Sequence, residues 1–151
     1  MYQNSKKHLA RHQRSPRHGV AIVEITAMAV MLSTLAFGTV EFGDYFYVRN
    51  ILEQAAREGA RAAVPPNALD SQVTTAINGA LANAGFSTHN ITISVTNSSG
   101  QSTSVAAVAV GAPIQVSVSG PWSSVGNGFR PLGLIGNNKQ VSGICIMHKG
   151  G

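Results

Sequence analysis

The spacing of apolar and polar positions divides the chain into segments of different character. Residues 1–18 are polar, show no helical apolar repeat and contain Pro16, a pattern that predicts a flexible tail. Residues 20–43 are an apolar run of 24 whose only charges are Glu24 and Glu41, leaving 16 uncharged residues between them. A membrane-spanning helix needs about 20 mostly apolar residues, so the run spans a bilayer if the glutamates lie near its two interfaces. Phe42, Tyr45, Phe46 and Tyr47 follow at once, where an aromatic belt is expected. No proline interrupts residues 17–64, and residues 44–64 are rich in good helix formers, so the helix is expected to continue out of the membrane. About 45 residues at about 1.5 Å each predict a rod of about 68 Å. Tyr45, Val48, Leu52, Ala55 or Ala56, Gly59 and Ala63 recur at three- and four-residue steps and mark a covered flank. Arg49/Glu53 and Glu53/Arg57 form i,i+4 pairs on a wetter one. Pro65-Pro66 ends the element.

The period stays helical over residues 67–85, with Asn67 as the expected N-cap, Gly85 as the stop, and Leu69, Val73, Ile77, Ala80, Leu81 and Ala84 on one face. It then changes to two. Ile91, Ile93 and Val95 alternate with Thr92, Ser94 and Thr96, and Ile114, Val116 and Val118 alternate with Gln115, Ser117 and Ser119, predicting half-buried strands. Residues 103–110 are a weaker strand candidate. Residues 120–138 read as a loop containing Trp122, Phe129 and Pro131, and residues 139–147 as a closing strand. The expected fold class is α+β: a long amino-terminal transmembrane helix extending into a domain with a short second helix and a small, mostly antiparallel sheet, an architecture that the family resemblance given below implies to be pilin-like. The corresponding parts are residues 1–19, a basic leader; 20–43, the span; 44–64, its extramembrane continuation; and 67–151, a small α+β domain.

Composition sharpens this picture. Among 151 residues, 44% are apolar and only 11% charged, well below the roughly 25% charged of an average globular protein. The net charge of +5 resides entirely in residues 1–18, through Lys6, Lys7, Arg11, Arg14 and Arg17, so the remainder is neutral. Basicity confined to a tail argues against a nucleic-acid-binding face, and no groove-reading motif follows it. Five basic residues before the span also predict a cytoplasmic amino terminus. One cysteine, Cys145, excludes an intramolecular disulfide framework and a Cys-rich zinc site. Cys145 and His148 would face opposite sides of a strand, which disfavours a Cys/His nucleophile. His8, His12 and His18 lack an accompanying carboxylate or thiol ligand in the tail. No catalytic signature occurs, and no enzymatic role, cofactor or metal is expected.

The amino-terminal pattern carries the sharper chemistry. A secretory signal has an apolar core of about 7–15 residues ending at a small-x-small site. Within the amino-terminal region the one Ala-x-Ala, at Ala27 and Ala29, lies inside the apolar run. A basic leader ending in Gly19, an apolar helix starting at Val20, and an acid at Glu24 instead form the pattern cut by a prepilin peptidase between Gly19 and Val20. Cleavage would give Val20 a free α-amino group. A carboxylate at the hydrocarbon edge is disfavoured by up to a few kcal/mol without a partner, and a neighbouring subunit's Val20 amine can supply one. Glu24 would thereby favour a staggered array of parallel helices.

The residues that carry this pattern also resemble a known family. Gly19, Val23-Glu24, Val40-Glu41-Phe42-Gly43 and Ala55-Ala56-Arg57-Glu58-Gly59-Ala60-Arg61 are similar to the TadE-like family, the pseudopilins of the tight-adherence (Tad/Flp) type IV pilus machinery. The resemblance is strong over about 45 residues. Beyond them it extends only in outline, with a strand near residues 111–119 and a closing strand reaching Met147 and Lys149. It implies a minor pilin or pseudopilin acting in pilus assembly, with Glu24 in assembly and with Glu41, Phe42, Gly43, Arg57, Glu58, Gly59 and Arg61 at the membrane exit and in helix packing. Implied partners are the prepilin peptidase, other pilins or pseudopilins, the inner-membrane assembly platform and membrane lipid, with no nucleic acid. The implied location is the inner membrane, crossed once, with the carboxy-terminal domain periplasmic or extracellular. The rival class is a signal-anchored periplasmic or surface binding module with no filament role. The small residues around Gly59 could pack against the chain's own sheet or against a filament neighbour, and the first is favoured because they lie beyond the bilayer, where the sheet must find a cover. Trp122 and Phe129 could form a partner-binding tip or buried anchors.

Overall fold

The computed structural model describes residues 17–86, 90–122, 131–136 and 138–150. Helix α1 (Arg17–Ala63) is followed by α2 (Asp70–Asn83), β1 (Thr92–Thr96), a 3-10 turn (Val105–Ala107), β2 (Pro113–Pro121) and β3 (Gln140–His148). This is the α+β class expected. The chain forms two compact units, Met1–Leu35 and Ala36–Gly151. In the first, every described residue is helical.

In the second unit, α1 presents a covered flank. Val48, Leu52, Ala55, Ala56, Ala60 and Ala63 are fully buried. Small side chains at these positions let the helix approach its neighbours closely. A Cβ placed on Gly59 would come within 2.6 Å of the Ile77 side chain and 3.3 Å of Val116. The intramolecular reading of this small-residue block therefore holds. Arg49 and Glu53 pair at 3.2 Å and Arg57 and Glu53 at 3.8 Å, both i,i+4, on the exposed side. The helix stops at Ala63 because a residue preceding proline is pushed out of the α region, and Val64 precedes Pro65.

Helix α2 starts later than the sequence suggested. The Ala68 N–H donates to the Pro65 carbonyl at 3.0 Å, so a turn occupies the residues after the prolines and Asn67 is not the N-cap. Leu69 takes that position, and its N–H donates to Gln72 Oε1 at 3.1 Å, so the cap comes from the side chain three residues on. Val73, Ile77 and Leu81 form the buried face, while Leu69, as the cap, is exposed. The stop is as expected. Gly85 has φ of +76°, the Phe86 N–H donates to the Leu81 carbonyl and the Gly85 N–H to that of Ala82, both at 2.9 Å, which is the Schellman arrangement.

The three strands form an antiparallel sheet in the order β1-β2-β3. The registers Val95↔Val116↔Cys145 and Ile93↔Val118↔Gly143 put the apolar residues of the period-two pattern on one face. That face meets the core formed by α1 and α2. Cys145 packs against this core while His148, on the opposite face, is exposed. Gly143 marks the closest approach, because a Cβ there would collide with the backbone of Leu52 and Glu53. Residues 103–110 are not the strand that was a weak candidate. Val105 and Val108 are both buried, and a three-residue spacing fits a 3-10 turn rather than the alternation of a strand. The closing strand starts and ends one residue later than expected.

Candidate functional site

Three groups of expected site residues lie on α1, and they occupy different environments. The first contains Gly19, Val20, Val23, Glu24 and Ala27, which lie along one exposed, mostly apolar face of the helix. Val20, Val23 and Ile25 are exposed, as are Met28, Val30, Met31, Leu32 and Leu35 further along. An all-round apolar surface left uncovered by its own chain fits burial in lipid rather than in a protein core. The two threonines of this part obey the same logic. Thr26 Oγ1 donates to the Ile22 carbonyl and Thr34 Oγ1 to that of Val30, each at 2.8 Å, so neither hydroxyl requires water. α1 is the one described helix long and apolar enough to cross a membrane, and it suits the chain to membrane anchoring. Glu24 makes no hydrogen bond or ion pair among the described residues. Helix α1 is described from Arg17, so Gly19 and Val20 both lie within it.

The second group lies at the expected membrane exit. Phe42 is exposed, and no atom lies within 4 Å of a Cβ built on Gly43. Glu41 is 0% exposed, an environment that local sequence spacing did not indicate. Its Oε1 accepts a hydrogen bond from the Ile135 N–H at 2.8 Å, while Oε2 has no partner among the described residues. Beyond Glu41, Tyr45 meets Trp122 edge to face with centroids 5.5 Å apart. Trp122, directly after β2 and not in the loop expected there, is fully buried as an anchor; Phe129 lies outside the described residues. Residues 132, 134 and 135 were not singled out from sequence. The signal available was three large aliphatic residues in an uncharged stretch, Pro131-Leu-Gly-Leu-Ile-Gly136, inside a segment otherwise read as loop.

The third group shows a division within one short block. Gly59 is buried against α2 and the sheet, whereas Arg57, Glu58 and Arg61 are exposed. Arg61 and Glu58 approach to 3.7 Å, a loose surface pair. With Ile51, Gln54, Gly79, Ala80 and Asn83 these charges edge an open groove of about 710 Å³ between α1 and α2.

Lys149, named above only as the basic residue after the closing strand, is a further buried polar residue. It is 3% exposed, and its ammonium donates to the Val105 carbonyl, while Asp70 Oδ1 accepts from the Val105 N–H at 2.7 Å. Val105 is thus held at both backbone polar groups by side chains distant in sequence. Among the described residues there is no group of three or more His, Cys, Asp or Glu arranged to hold a metal. The three histidines of the tail lie outside the described residues or have undescribed side chains.

No curated protein and no solved structure matches the chain. Residues 19–61 match the family model described as TadE-like protein, so the helix carrying Gly19, Glu24, Glu41 and Gly59 is similar over that stretch to the TadE-like proteins of the Tad pilus machinery.

Proposed function

We propose that this chain is a membrane-anchored minor pilin or pseudopilin that acts in assembly of a tight-adherence (Flp-type) type IV pilus. The observation that carries the reading is the TadE-like match over residues 19–61, the segment that holds both the Gly19/Val20 junction and Glu24. The exposed apolar surface of residues 20–35 supports it, since such a helix needs either lipid or neighbouring helices around it. In this reading a prepilin peptidase cuts between Gly19 and Val20 on the cytoplasmic side of the inner membrane. The carboxylate of Glu24 then pairs with the Val20 ammonium of an adjacent subunit. The second unit remains periplasmic or extracellular, and the role is structural rather than catalytic.

The Glu24→Gln variant tests the reading. An amide is easier to place in hydrocarbon than an ionised acid, so a simple anchor would be unharmed or inserted slightly better. An assembly helix loses its ion pair, and each lost contribution of about 1.4 kcal/mol lowers association about tenfold. Immunoblots should show normal insertion and processing, with crosslinking to other pilus components reduced by about tenfold or more. Normal processing with normal association and piliation would instead support a signal-anchored binding module.

A further inference from the structure

A loop distant in sequence lies beside the end of the apolar helix. Leu134 reaches the helix at Gly38, where a Cβ would meet Leu134 Cδ1 at 3.6 Å, and the next residue, Ile135, donates its N–H to Glu41. Gly38 lies inside the uncharged run that precedes Glu41, about 4.5 Å further along the helix toward the span at about 1.5 Å per residue. Leu134 therefore sits at the depth of the last apolar turn. Leu132 and Leu134 are nevertheless 37% and 56% exposed, on a loop with no charge from residue 131 to 136. Phe37, Val40 and Phe42 of the neighbouring turns are exposed as well.

We propose that residues 131–136 are a second membrane contact, an apolar loop held by Glu41 that rests in the interfacial layer of the bilayer anchoring α1. Three observations favour lipid over a protein as its occupant. The loop's leucines continue the exposed apolar surface of the helix at the same level. Groups suited to the headgroup level adjoin them: the half-buried Tyr45 ring lies edge to face beside Trp122, whose backbone N–H donates to the Lys139 carbonyl at 2.8 Å, and the Lys139 side chain is exposed to reach phosphate. Backbone groups are also partly satisfied from within, as lipid requires: Glu41 takes the Ile135 N–H, and the Lys139 N–H closes on the Gly136 carbonyl at 3.0 Å. The buried carboxylate of Glu41 is then a positioning group that fixes the loop against the helix.

This inference rests on the membrane-anchor reading, and the test separates the two. Full-length protein in phosphatidylethanolamine and phosphatidylglycerol vesicles is spin-labelled singly at Leu132→Cys, Leu134→Cys, Val30→Cys or Ser99→Cys, each with Cys145→Ala. Collisions with oxygen report lipid and collisions with a water-soluble nickel chelate report water. Labels at 132 and 134 should follow the label at 30, gaining oxygen access and losing most of the nickel access seen at 99. Adding Glu41→Ala should return nickel access at 132, and Glu41→Gln, which keeps an acceptor for Ile135, should not. Nickel access at 132 and 134 equal to that at 99 overturns the proposal while the label at 30 stays in lipid. Low access to both reagents means that a second copy or another protein covers the loop, which also overturns it. A water-exposed label at 30 overturns the anchor reading and this inference with it.

Discussion

Glycine at two positions sets how closely the elements meet. At Gly143 any Cβ would strike the backbone of α1, which cannot rotate away, whereas at Gly59 it would meet carbons of the Ile77 side chain, which has other rotamers. Overpacking of a dense core costs about 1–3 kcal/mol, occasionally more, and alanine in a helix recovers about 1 kcal/mol relative to glycine. Gly143→Ala should therefore destabilise the second unit by about 3 kcal/mol or more, and Gly59→Ala by clearly less. Thermal unfolding of full-length protein in detergent, followed by near-ultraviolet circular dichroism, checks the order; equal losses would mean that the sheet shifts freely from the helix. Glycine in a strand signals a possible close approach, but the sequence does not identify the approaching backbone. The burial of Glu41 was equally hidden, since its partner is 94 residues away.

The elements legible in the sequence were those whose pattern is local. The covered flank of α1, the stop of α2 at Gly85 and the alternation of β1 and β2 follow from periods that a short window contains. Residues 103–110 misled because an apolar run without alternation fits several conformations, and only burial of Val105 and Val108 by distant elements selects the turn. Asp70 is part of that selection, joining the first turn of α2 to the Val105 N–H while placing a negative charge at the helix start. A hydrogen bond to a charged group contributes about 1.5–3 kcal/mol. Asp70→Ala should lower the stability of the second unit by about 1–2 kcal/mol, given the aspartate's exposure, with Asp70→Asn losing less because its amide oxygen still accepts. Denaturant unfolding of the two variants checks this; identical losses would place the effect in charge rather than in the acceptor.

For the whole molecule, charge and hydropathy set the basic segment apart from the apolar run that follows it. All of the net charge lies in residues 1–18, and the family match begins where that segment ends. Intact-mass measurement of membrane-extracted protein should show loss of residues 1–19 in cells with active prepilin peptidase; retention of Met1 there would remove the processing step from the proposed function. The assembly of the second unit was less readable. Its core joins α1, α2 and all three strands across connections whose lengths the sequence displays but whose registers it does not.

The register of β3 has a consequence for biosynthesis. Strand β3 pairs with β2 over its whole length, and beyond it the Gly150 N–H donates to the Val64 carbonyl at 2.8 Å, beside the end of α1. Under the proposed topology, until residues 140–150 have crossed the membrane, β2 has an open edge and the apolar flank near Leu52 lacks the strand that closes on it. Partly exported chains therefore wait with sticky surfaces, a state in which chains can pair wrongly with one another. Anchoring by α1 fixes each waiting chain to the bilayer, so the hazard grows with the crowding of subunits at the export site rather than with their concentration in the surrounding fluid.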